Sequence, residues 1–182
     1  MSAYLTGMGG GVFLLLLSPS LLLVILYLIY KIYNRRKSAA IKKIAEQKGW
    51  SFERKLSALP FATNFSLFRQ YNGKSWEWKI TNVLRNTQEG VLEAIILEFR
   101  VFQFHRGGYP KGCEPHNFIV AHFKSPTFRF PAAAQSLPEG SFVEMEGNNF
   151  LCYREGNQNA ASVDSFMHES FQTLNRFFAA CK

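Results

Sequence analysis

Cysteine is scarce. Cys113, Cys152 and Cys181 are the only three, an odd number, far apart and with no Cys-x-x-Cys pair. That spacing argues against the disulfide-stapled scaffold of a small secreted domain. A glycine-rich phosphate cradle is missing too: Gly9-Gly10-Gly11 precedes an apolar run instead of joining a strand to a helix, and no Gly-Lys-Ser/Thr follows. Met1 to Gly10 holds no Lys or Arg, and no small residue stands between Tyr30 and Ser38. A cleaved secretory signal needs both a basic start and a small-residue cut site. The small-x-small stretch Ser18-Pro19-Ser20 lies inside the apolar run, and a cut there would leave LLLVILYLIY at the new terminus. Charge itself is absent from Val12 to Tyr30.

That uncharged run is the most informative stretch present. About 20 helical residues cover the ~30 Å hydrocarbon core of a bilayer, so residues 12–33 are expected to form a retained transmembrane helix. Pro19 is compatible with this, because membrane helices tolerate proline where flanking Ser18 and Ser20 can satisfy freed carbonyls. Tyr27, Tyr30 and Tyr33 gather towards one end, as an interfacial belt does.

Positive charge follows at once. Between Lys31 and Lys55 stand nine basic residues and two acidic ones, which accounts for seven of the chain's formal +8. Basic residues beside a span stay on the cytoplasmic side. The expected topology is therefore single-pass in the inner or plasma membrane, N-terminus out, with the C-terminal domain cytoplasmic. Lys31, Arg35, Arg36, Lys37, Lys42 and Lys43 are the expected contacts with anionic headgroups. The remainder is nearly balanced in charge, so no nucleic-acid partner is implied; the partners expected are the membrane and a protein.

Four segments result: a short extracytoplasmic tail at 1–11, the span at 12–33, a basic juxtamembrane helix or stalk at 34–49, and a domain at 50–182. Ser38 to Lys48 reads as a short basic helix with Ile41, Ile44 and Ala45 on one stripe, stopped at Gly49. It suits either a stalk on the membrane surface or the first helix of the domain. From Trp50 the pattern turns to strands: about 75–84 after the Asn72-Gly73 turn, 91–105 with apolar residues on both faces, 117–124, and a short one around 128–130. Ser141 to Arg154 reads as a hairpin turning at Gly147-Asn148. A last helix is expected with Ser162 as its cap, Asp164 in its first turn, and an apolar stripe of Val163, Phe166, Met167, Phe171, Leu174, Phe177 and Phe178. The fold class is α+β: an N-terminal transmembrane helix, a short basic helix, then a mainly antiparallel sheet with a C-terminal amphipathic helix packed on it.

The order of "KGWSF", "LPFATNFSLFRQ", "NVLRNTQEGVLEAIILEFRVF", "NFIVAHFKSPTFRFP" and "GNNFLCYREG" resembles a family of small single-pass membrane-anchored bacterial proteins defined by a domain of unknown function. The likeness covers most of residues 35–155. Where that family often carries Asp-Tyr-x-Tyr after the apolar strand, this chain has Glu98-Phe99-Arg100-Val101. The resemblance implies single-pass anchoring and a compact cytoplasmic domain, and no activity.

Chemistry concentrates in one stretch. His105, Cys113, His116 and His122 are the candidate metal ligands, with a Cys-x2-His spacing in Cys113-Glu114-Pro115-His116. Against a metal, a structural zinc site usually has more Cys, and His122 sits among Phe118, Val120 and Phe123, where a core histidine is commonplace. Cys113 and His116 could equally be nucleophile and base, although the sequence offers no third, orienting group. Glu93 and Glu98 fall on opposite strand faces, which disfavours paired-carboxylate hydrolysis. Trp76 and Trp78 read as core, and a buried Arg100 would need Glu77, Glu98 or Glu144 beside it. No cofactor is implied. The expected function is a membrane-anchored, non-catalytic binding or scaffold module; the alternative is a metal-binding or thiol enzyme centred on Cys113 and His116.

Overall fold

The computed structural model describes residues 8–61, 64–73, 76–88, 92–103, 115–137, 140–156 and 159–180, with side chains in the first helix from Pro19 onward. The chain divides into two compact units, Met1–Ala39 and Ala40–Lys182.

The first unit consists of most of helix α1, Met8–Gln47, with Pro19 inside it. From Leu21 to Tyr33 its large apolar side chains are exposed on every face, from 44 % at Ile25 to 67 % at Leu23. Among the described residues, whose side chains in α1 begin at Pro19, no helix is long and apolar enough to cross a membrane. The expected boundary between an apolar helix and a separate basic one is not seen, and α1 is a single helix of 40 residues. The cause is local: Asn34 to Gln47 contains neither Gly nor Pro and is rich in Arg, Lys and Ala, all good helix formers.

The second unit opens with the last turns of α1. Ile41 and Ala45 are fully buried in its core and Ile44 packs beside them, so these turns serve as the domain's first helix. The helix stops where expected. Gly49 takes φ +70°, the Trp50 N–H donates to the Ala45 carbonyl at 2.8 Å and the Gly49 N–H to that of Glu46 at 3.2 Å. This paired closure needs the left-handed conformation that glycine adopts without strain.

Seven strands of this unit form one antiparallel sheet: β1 (Ser51–Leu56), β2 (Trp76–Gln88), β3 (Leu92–Gln103), β4 (His116–Lys124), β5 (Phe130–Ser136), β6 (Ser141–Gly147) and β7 (Asn149–Glu155). Their order is β1-β2-β3-β4-β7-β6-β5. β6 and β7 pair Glu146 with Asn149 across the expected two-residue turn, where Gly147 has φ +60°. β5 begins later than expected and runs on through Ser136, because Ala133 to Ser136 pair with β6 beyond an irregularity after Phe130.

Alternation along β3, β4 and β7 sends side chains to two cores. Ala94, Ile96, Ala121, Phe123, Phe150 and Cys152 face the first, with Phe166 and Leu174 of helix α3 (Ala160–Ala180). Ile95, Leu97, Phe99, Phe118, Val120 and Leu151 face the second, closed by Phe65, Leu67, Phe68 and Tyr71 around the short helix α2 (Ser66–Gln70). Coverage of both faces is why the β3 sequence is apolar at successive positions. Trp76 and Trp78 are half-buried and pack against the second core, in ring contact with Tyr71 and Phe99.

The α3 stripe packs as expected, but its cap differs. Asn159 caps the helix: its Oδ1 accepts the Ser162 N–H while Ser162 Oγ accepts the Asn159 N–H, both at 2.8 Å. Asp164 lies beyond the first turn and pairs instead with Lys48 at 3.0 Å.

Candidate functional site

The residues expected at a membrane surface lie along α1. Lys31, Arg35 and Arg36 are exposed and Lys37 is half-buried. The Lys31 ammonium lies over the Tyr27 ring, 5.9 Å from its centre. Lys42 and Lys43 are exposed, on the side of the helix away from buried Ile41 and Ala45, and Lys42 pairs with Glu46 at 3.5 Å.

Of the candidate metal ligands, His105 and Cys113 lie outside the described residues. His116 and His122 both point to the second core face of β4, but six residues of strand separate them by about 20 Å, too far to share one ion. Among the described residues no group of three or more His, Cys, Asp or Glu is gathered to hold a metal.

His122 is 1 % exposed, its ring stacked on Phe61 at 4.2 Å. Its Nε2 donates to Asn149 Oδ1 at 3.1 Å, and Asn149 Nδ2 in turn donates to Asn148, which fixes the direction of the bond. Its Nδ1 is therefore the acceptor nitrogen, and it meets no donor. Burial pushes the imidazole down to about 4, partly offset by the Asn149 bond, so it is neutral at physiological pH. It is a core group.

His116 has a different setting. Its Nδ1 meets Glu155 Oε1 at 2.6 Å in a partly exposed pair, beside Tyr71 and Trp76. Burial first, and Glu155 second, raise the Tyr71 hydroxyl's pKa. Glu155 is a carboxylate partner of the His116 ring that the sequence pattern did not reveal. The register places it there through β4–β7 pairing, Phe118 opposite Glu155.

Two further carboxylates were candidate partners for a buried Arg100, a residue that is only half-buried. Glu144 does not meet Arg100; it is buried and accepts the Ser66 N–H and hydroxyl, both at 2.6 Å, holding the start of α2. Burial and then Glu144 push the nearby Tyr153 hydroxyl up to about 12. Arg100 donates through Nε to Asn117. Glu98 accepts from Asn82 Nδ2, where Asn82 takes φ 51° at an irregularity of the β2 ladder.

One cavity was not legible from the sequence. About 480 Å³ opens between α3 and the β5–β7 end of the sheet, with Leu137, Cys152, Phe166 and Phe177 among its walls. Cys152 is buried, and desolvation pushes its thiol up to about 11. Of the cavity's polar groups, Glu169, Gln172, Thr173 and Arg176 come from α3, Gln135 from β5 and Ser141 from β6.

Compared with protein-family models, with curated proteins and with solved structures, the chain finds no match in any of the three.

Proposed function

We propose that the chain is a single-pass, membrane-anchored binding module whose α+β domain lies on the cytoplasmic side. The observation that carries this reading is the surface of α1. A helix apolar all round belongs inside a protein or a bilayer, and from Leu21 to Tyr33 every large apolar side chain is left exposed. The sequence run 12–33 lies wholly within this one helix, and at 1.5 Å per residue it spans about 33 Å, enough for a hydrocarbon core. Lys31, Arg35, Arg36 and Lys37 then sit at the headgroups and hold the N-terminus out. The anchor, the basic segment and the order of motifs all support membership of the anchored bacterial family that the sequence resembles. The domain adds a near-neutral surface suited to a protein partner.

Protease protection tests the anchor. Residues 40–182 should be shielded in intact cells, digested in inverted vesicles, and retained in membranes after an alkaline carbonate wash. Digestion from outside intact cells, or release by carbonate, overturns the anchor and its orientation. Crosslinking in native membranes tests the binding role; recovery of this chain alone at every expression level overturns it.

A second reading rests on the His116–Glu155 pair. With Nδ1 on a carboxylate, His116 keeps Nε2 for a proton from a thiol, and Cys113 stands three residues before it. Iodoacetamide labelling across pH distinguishes the two. A thiol enzyme requires fast labelling of Cys113 below pH 8, slowed by Glu155→Gln; labelling at the rate of a free cysteine removes this reading.

A further inference from the structure

The cavity beside α3 has no part in the membrane reading, and its groups define an occupant of their own. Its floor is apolar, formed by Phe166 with Leu137 and Phe177. Cys152 adds a thiol that burial keeps protonated, hence no charge. Glu169 is already neutralised: its Oε2 accepts from Arg154 at 3.2 Å and its Oε1 from the Ser165 hydroxyl at 2.7 Å.

Arg176 differs. It lines the same cavity, is exposed, and takes part in none of the ion pairs among the described residues. Thr173 lies three residues earlier, so its hydroxyl falls on the same side of the helix. A hollow of about 480 Å³, inside the roughly 300–1,000 Å³ range of small-molecule sites, thus carries one uncompensated positive charge at its rim.

We infer that this cavity binds a small monoanionic amphiphile, a medium-chain carboxylate of about octanoate size. Its carboxylate meets the Arg176 guanidinium, whose paired N–H groups match the two oxygens, and the Thr173 hydroxyl. Its hydrocarbon chain lies against Phe166, Phe177 and Leu137. The rim's single net charge selects a monoanion. Every group named lies within residues 135–177, so the inference stands or falls apart from the membrane anchor.

The test uses the full chain in nanodiscs of zwitterionic lipid, titrated with octanoate labelled with ¹³C at its carboxyl, with empty discs as the blank. Saturable binding of one octanoate per chain is expected. Arg176→Glu should weaken it at least tenfold while leaving octanol, which has the same tail and no charge, unaffected. Thr173→Trp, which fills the cavity, should abolish both. Arg176 is exposed, so its variant is expected to keep the native circular dichroism and thermal midpoint, and it decides the matter even if Thr173→Trp does not fold. Absence of saturable octanoate binding by the native chain overturns the inference, as does equal affinity in Arg176→Glu.

Discussion

His122 lies almost wholly out of water with one ring nitrogen bonded and the other facing no donor. Protonating it in the fold would bury a charge with no counterion, which is why its folded value falls to about 4 from the ordinary 6.5. The unfolded chain takes up this proton first as pH falls. The stability that depends on a neutral His122 is therefore complete above about pH 6.5 and is lost progressively down to about pH 4, by about 3 kcal/mol. Urea unfolding at pH 7 and pH 4.5 should show most of that loss, and His122→Phe, which keeps the stack on Phe61, should remove most of the difference. Equal pH dependence in both proteins would refute it. That His122 is core was readable from its apolar strand neighbours. The roles of Glu144 and Glu155 were not, because their partners Ser66 and His116 stand 78 and 39 residues away in the chain.

Elements were more legible than their partners. Local signals set the end of α1, the β6–β7 hairpin and the α3 stripe: a glycine at a stop, a Gly-Asn pair between alternating runs, an apolar repeat of three and four. Gly49 gives a direct check. A Cβ there would meet nothing within 4 Å, so Gly49→Ala costs only the left-handed backbone strain, about 1 kcal/mol. A thermal midpoint lowered by roughly 3–5 °C is expected, with Gly49→Asn milder; no shift in either would mean the closure is dispensable. The short helix α2 was missed because five residues are too few for a periodic pattern to emerge. The cap of α3 was misplaced by three residues because Asn159 and Ser162 are both good caps, and only their mutual bonds show which one stands outside the helix. The break expected after Tyr33 is absent because a change from apolar to basic alters what surrounds a helix without breaking its backbone.

The whole molecule is organised by where its charge is absent and where it gathers. Lys31, Arg35, Arg36 and Lys37 follow directly on the apolar stretch, and in the proposed topology they are the basic residues nearest the span and weigh most in its direction. Changing all four to Gln should leave the protein in the membrane but give a mixed population, with a reporter fused at the C-terminus appearing on both sides. An orientation unchanged by the loss of all four would dissociate direction from these four charges. The antiparallel sheet and its covering helix were legible as a class. The strand order was not, since the chain passes from β4 out to β5 and only then returns through β6 to lay β7 beside β4, and no local pattern records that return.

That path leaves the sheet two unlike rims. β1 carries Glu53, Arg54 and Lys55, and such charges repel a stranger's backbone. β5 offers uncharged, exposed Pro131 to Ser136, where the obstacles to another strand are the missing N–H of Pro131 and the irregular register beside it. If crowded copies of this molecule ever polymerise, growth starts at β5, and the lone proline there is its chief brake.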